Sequence, residues 1–173
     1  MQVDPRHSDR PTSPIHPTGF FTGVQIRPVI LGVIVDYIAT YAAMYAYIFL
    51  YLTKELAKEG EVSGDAIGKY LSTNEGLMIS FLIGILGTAL GGFIAGYKAG
   101  SFEIKHGAFV GLGSLIVSFI ELLMQEEAPT IPEWFRMISV LAIIPAGALG
   151  GYVAELFKGS VTTTPWSGSG RSP

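Results

Sequence analysis

The 173-residue chain contains no cysteine. That removes disulfides, thiolate metal sites, iron–sulfur clusters and cysteine nucleophiles, and leaves the redox compartment unreadable. Charge is also scarce: 14% of residues are Asp, Glu, Lys or Arg, against 49% that are apolar, which places the chain in a bilayer rather than in water. Of three histidines, His7 and His16 lie in a polar, proline-rich N-terminal stretch. His106 has no companion at ligand spacing, so a helix-end or interfacial role is expected for it before a metal or pigment, and no metal site is expected. No nucleophile–base pair is visible, and the glycines lie inside apolar segments rather than in a strand-to-helix loop. The expectation is therefore a protein that is not an enzyme, without cofactor and without a nucleic-acid partner. No cleavable signal is expected either, because Met1–Ile26 is polar and proline-rich instead of basic and then apolar.

What the chain does have is small residues at four-residue spacing within long apolar runs. Gly84/Thr88/Gly92/Gly96 and Gly87/Gly91/Ala95/Ala99 form two ladders, and Ala142/Ala146/Gly150/Ala154 a third, in the echo at 148–154, with a kink or local break expected at Pro145 just before that echo. Such strips let membrane helices approach backbone to backbone. The helix-packing residues expected from them are Gly84, Gly87, Gly91, Gly92, Gly96, Ala146, Gly150, Gly151 and Ala154. Ala89–Ala95 also matches Ala148–Ala154 position for position, with Phe93 replaced by Tyr152 and Ile94 by Val153. That internal repeat points to a duplicated helical hairpin, in which aligning Gly32 with Gly111 relates the first and third spans.

In chain order, 1–26 reads as a disordered arm and 27–158 as an all-α, polytopic domain of four transmembrane helices, followed by a flexible tail over 159–173. The spans are expected at about 28–52, 76–97, 107–124 and 134–157, each within or near the ~17–25 residues that cross a bilayer. Pro28 suits a first helical turn, Trp134 and Phe135 an interfacial belt, and Ala66, Ile67, Tyr70 and Leu71 share the face of a short surface helix. With four spans, Arg6, Arg10, Arg27, Lys98, Lys105, Lys158 and Arg171 fall on one side and Lys54, Lys58, Lys69 and Arg136 on the other. The excess of basic residues predicts a multi-pass protein of the inner (plasma) membrane with both termini cytoplasmic.

Asp36 is the one carboxylate deep inside a span. A charge at the bilayer centre costs at least ~2.5–3.5 kcal/mol on insertion scales, so it must be protonated, partnered or turned into the bundle. Two readings stay open: a proton or cation site, with Thr40 and Tyr47 on the same helical face, or a hydrogen-bonded packing contact. Tyr37, Tyr41 and Tyr45 lie four apart and form a face for a partner subunit or lipid, with contact to a pigment or quinone as the other reading. Glu121 and Glu155 are expected to reach the interface, Glu155 pairing locally with Lys158. A substrate route would need further polar residues along it, and few are evident.

GGFIAGYKAG at 91–100, HGAFVG at 106–111 and PAGALGGYVA at 145–154 together resemble a group of small, uncharacterised bacterial four-helix integral membrane proteins. The resemblance spans roughly the second half of the chain and implies the fold and a bacterial origin, with no activity attached. The sequence reading is then a structural or accessory subunit of a larger membrane complex, whose partners are lipids and other subunits or further copies of itself. The alternative is a small oligomeric transporter or channel component with Asp36 as its proton or cation site.

Overall fold

A computed structural model describes residues 21–58, 60, 62–124 and 131–162. The described residues are helical apart from short turns, and the order is α1 (Ile26–Tyr47), a π-helical turn (Ile48–Leu52), α2 (Thr53–Lys58), α3 (Gly64–Leu71), α4 (Asn74–Ala99), α5 (Glu103–Met124) and α6 (Glu133–Thr162). Four of these stretches are long and apolar enough to cross a membrane: Ile26–Lys58, Asn74–Ala99, Glu103–Met124 and Glu133–Gly159. The protein is an all-α, four-helix membrane protein, as its composition requires. Large apolar side chains such as Ile34, Ile38, Leu86, Leu90, Phe119, Leu141 and Leu149 point outward, where lipid replaces water as the surrounding medium.

Local chemistry sets the helix ends. Ser63 accepts a hydrogen bond from the Ala66 amide (3.1 Å) to start α3, and Thr73 accepts one from Gly76 (3.2 Å) to start α4. Gly100, at φ 74°, ends α4 in the left-handed conformation that glycine adopts without strain. Three residues then suffice to reach α5. The first membrane helix runs further than expected: the π-helical turn carries it past Leu52 to Lys58, 33 residues in all. At 1.5 Å per residue that is about 50 Å, longer than a ~30 Å hydrocarbon layer, so its end stands clear of the bilayer. α6 stays helical through Pro145.

α4 and α5 form the middle of the bundle, and α1 and α6 each pack on both. The glycines determine where the backbones meet. A methyl group added at Gly91 would strike the Gly32 carbonyl, fixing the α1–α4 crossing. Additions at Gly92 and Gly107 would both strike the Gly147 carbonyl, and one at Gly150 the Ala89 carbonyl, so α4, α5 and α6 converge on Gly147. Gly147 lies one residue off the expected α6 ladder. Gly111, aligned to Gly32 by the repeat, meets Ile143 and Ile144 rather than Gly150. The second hairpin is thus packed about two helical turns out of register with the first.

These close crossings lie toward the end of the bundle that carries residues 21–25, the α4–α5 connection and the end of α6, here the termini end. Phe21–Gln25 is not an extended arm but a turn docked on α5. The Phe21 ring lies 5.6 Å from that of Phe109, Lys105 donates to the Thr22 carbonyl (2.9 Å), and the Gln25 amide donates to His106 Nε2 (2.9 Å). Residues 1–20 and 163–173 of the expected arms lie outside the described residues.

Candidate functional site

Asp36 sits ten residues into α1, about 15 Å along its axis. It is 4% exposed. Its Oδ1 accepts a hydrogen bond from Thr40 (3.2 Å), and its Oδ2 accepts from Thr88 (3.0 Å) and Ser114 (2.5 Å). α1, α4 and α5 each supply one hydroxyl. The α4 ladder makes room for this arrangement: a methyl group at Gly87 would meet the Thr40 hydroxyl and Asp36 Oδ1, and one at Gly91 would meet Asp36 Cβ as well as Gly32. Two of the expected packing glycines therefore seat the carboxylate, and no buried side-chain nitrogen or oxygen among the described residues lacks a hydrogen-bond partner.

Asp36 forms the floor of a cavity of about 310 Å³ that all four long helices line. Beside it on α1 stand Tyr37 and Tyr41. Ser80, Gly84 and Thr88 line it from α4, Ser114, Ser118 and Glu121 from α5, and Ser139 from α6, while Phe81, Ile85, Phe135 and Ile143 provide an apolar wall. The Tyr37 hydroxyl lies 3.3 Å from Ser118 Oγ and donates to the Ser114 carbonyl (3.4 Å); Tyr41 donates to Glu121 Oε1 (3.4 Å). Glu121, expected to snorkel to the interface, is thus part of a polar track running from Asp36 away from the termini end. Among the described residues, the lining holds two carboxylates and no lysine, arginine or histidine.

The remaining expected residues separate. Tyr47 does not join Asp36: its hydroxyl pairs with that of Tyr70 on α3 (2.9 Å). That bond and burial push the Tyr70 hydroxyl above the ordinary tyrosine range, burial contributing most. Tyr45 is 59% exposed and belongs to the outward face, so the tyrosine stripe is split between cavity and surroundings. Gly84 makes no helix contact, since a methyl group there would meet nothing within 4 Å, and it opens onto the cavity instead. Gly92, Gly96, Ala146, Gly150, Gly151 and Ala154 are buried among the helices.

The polar lining was the part missed from the sequence. Its signal exists as Ser80, Gly84 and Thr88 four apart on α4, and as Ser114, Ser118 and Glu121 at helical spacing on α5.

At the termini end the side chains lock rather than line. His106 is fully buried; its Nε2 accepts from Gln25, so Nδ1 carries the proton and donates to the Phe102 carbonyl (3.0 Å). With both ring nitrogens occupied, it offers none to a metal or pigment. Lys158 pairs across helices with Glu103 (3.1 Å), not locally with Glu155, and donates to the Gly96 carbonyl (3.2 Å). No protein-family model matches the chain, and neither does any curated protein or any solved structure.

Proposed function

We propose that this membrane protein is a small transporter or channel component, alone or as a homo-oligomer, in which Asp36 binds a proton or cation. One observation carries the reading. A carboxylate 4% exposed, inside the first membrane helix, is held by hydroxyls from three helices and opens on a cavity with no basic side chain among the described residues. Hydroxyl donors satisfy the lone pairs of a carboxylate but leave its charge uncompensated. In hydrocarbon that charge is costly, so a proton or a bound cation is the group that completes the site.

The architecture supports access from one end at a time. Glycine crossings and the Lys158–Glu103 pair close the termini end, and the cavity extends the other way. Release toward the termini end requires α1, α4 and α6 to slide where they meet without intervening side chains. In the reading as an accessory subunit the small-residue strips pack the bundle and the tyrosine face docks a partner; of that face, Tyr37 and Tyr41 line the cavity and Tyr45 is left outward.

The test is Asp36→Asn in lipid vesicles. The amide keeps the shape and most of the hydrogen bonding while removing the ionisable group. Proton- or cation-linked flux should fall to background, with the elution profile in detergent unchanged. Unaltered flux in the Asn variant, or no flux in the wild type under any cation or proton gradient, would return Asp36 to a packing role.

A further inference from the structure

We infer that the cavity takes a small organic ammonium ion, its charged nitrogen on Asp36 and an apolar body against Phe81, Ile85, Phe135 and Ile143; this rests on the reading of Asp36 as an ion site. Size argues first. A water molecule's share of liquid volume is roughly 30 Å³, and a proton or bare metal ion needs no more than that. The cavity measures about 310 Å³, room for a molecule of several heavy atoms.

Donor arithmetic points the same way. A carboxylate has about four lone-pair sites, and three hydroxyls already occupy three of those on Asp36. What is left suits a single N–H donor better than a hard cation, which gathers six or more oxygen ligands about itself. Among the described residues, no three Asp, Glu, His or Cys side chains come together to neutralise a divalent metal.

Polarity is distributed to match. The carboxylate and its hydroxyls form one end of the cavity, whereas Phe81 and Ile85 of α4 and Phe135 and Ile143 of α6 give it an apolar wall, beside Ser80 and Ser139 whose hydroxyls are bonded back to their own helices. Phe81 and Phe135 lie edge to face at 6.1 Å, and Tyr37 and Tyr41 stand 6.1 Å apart on the opposite helix. Aromatic rings thus line the cavity on two sides, and aromatic faces attract an alkylammonium. Glu121 lies seven residues beyond Ser114 on α5, about 10 Å toward the open end. It is placed to draw a cation inward, because it lines the same cavity and accepts a hydrogen bond from Tyr41.

The full-length protein in detergent is titrated calorimetrically with phenethylammonium chloride, with its neutral isostere 2-phenylethanol, and with sodium and potassium chloride. The variants are Asp36→Asn, which removes the counter-charge, and Gly84→Leu, which fills the cavity from a position where an added Cβ meets nothing within 4 Å. The expected result is saturable phenethylammonium binding and none of the alcohol. Affinity should fall about tenfold or more in each variant, a loss of ~1.4 kcal/mol or more. Equal binding of alcohol and amine, or amine binding indifferent to Gly84→Leu, would overturn the inference. Asp36-dependent sodium, potassium or proton binding without amine binding would overturn it while leaving the ion-site reading standing. Loss of all Asp36-dependent binding would remove both.

Discussion

At the scale of single residues, the site is one carboxylate and its donors, and those donors are not equivalent. Thr40 reaches Asp36 from one turn along the same helix at 3.2 Å, a bond that α1 makes without any neighbour. Ser114 reaches it from α5 at 2.5 Å and is itself buried, so this bond ties two helices together. Two magnitudes compete here. Hydrogen bonds to charged groups in water-soluble proteins contribute ~1.5–3 kcal/mol, whereas interhelical bonds in membranes average ~0.6 kcal/mol because the separated helices find other partners. The membrane figure is the relevant reference state. Ser114→Ala should therefore lower stability by about 1 kcal/mol, Thr40→Ala by less, and Tyr45→Phe by nothing measurable, since Tyr45 faces outward. Thermal unfolding in one detergent ranks the three, and a Thr40→Ala loss exceeding that of Ser114→Ala would contradict the assignment. Asp36 and Thr40 were legible in the sequence because a charge in an apolar run demands a partner and the i,i+4 neighbour is the nearest one. Tyr47 was not, because sharing a helical face does not mean sharing a site. It lies eleven residues on from Asp36, about 16 Å along the axis, where α3 has come within reach.

Between elements, glycine spacing revealed that close contacts exist but not with which helix, since a smooth strip has no chemistry to name its partner. The α4 ladder divides by position. Gly91 and Gly92 meet α1 and α6, Gly87 makes space for Asp36, and Gly84 faces the cavity. Gly147, off the α6 ladder by one residue, is where three helices converge. A side chain at Gly147 would meet α5 backbone at its first atom, against the Gly107 carbonyl and the Gly111 amide, a clash of Cβ itself that no rotamer relieves. Overpacking of this kind costs ~1–3 kcal/mol even where the surroundings yield, and backbone yields least. Gly147→Leu and Gly91→Leu should reduce the folded yield in detergent severalfold, whereas Gly84→Leu should leave it unchanged. Equal sensitivity at all three positions would mean that the crossings are not as tight as the structure has them. The polar lining stayed hidden for a related reason. A lone serine in an apolar span normally satisfies its hydroxyl on its own helix's carbonyls, as Ser80 and Ser139 do at 2.8 Å. Only the packing of four helices turns such serines toward one space.

Over the whole molecule, small residues and hydroxyls sort to opposite ends, giving a bundle sealed at the termini end and hollow toward the other. The four spans follow from hydropathy and length alone, but this polarity does not, because it depends on where α1 and α6 diverge from α4 and α5. Its relation to the membrane follows from the loop charges, seven basic residues on the termini side against four on the other, which favours cytoplasmic termini. Joined together, the two arguments predict a cavity mouth on the outside of the cell. The absence of cysteine makes this directly measurable, since every introduced thiol is the only one in the chain. Gly64→Cys lies at the start of α3 on the far side, Ser118→Cys in the cavity lining, and Ser101→Cys in the connection between α4 and α5. In intact cells a membrane-impermeant maleimide should label Gly64→Cys and Ser118→Cys, and should reach Ser101→Cys only after permeabilisation. Labelling of Ser101→Cys alone would reverse the orientation and defeat the charge argument. Labelling of Gly64→Cys without Ser118→Cys would keep the orientation but show the cavity closed to water on that side, and an ion could not then enter by the route proposed.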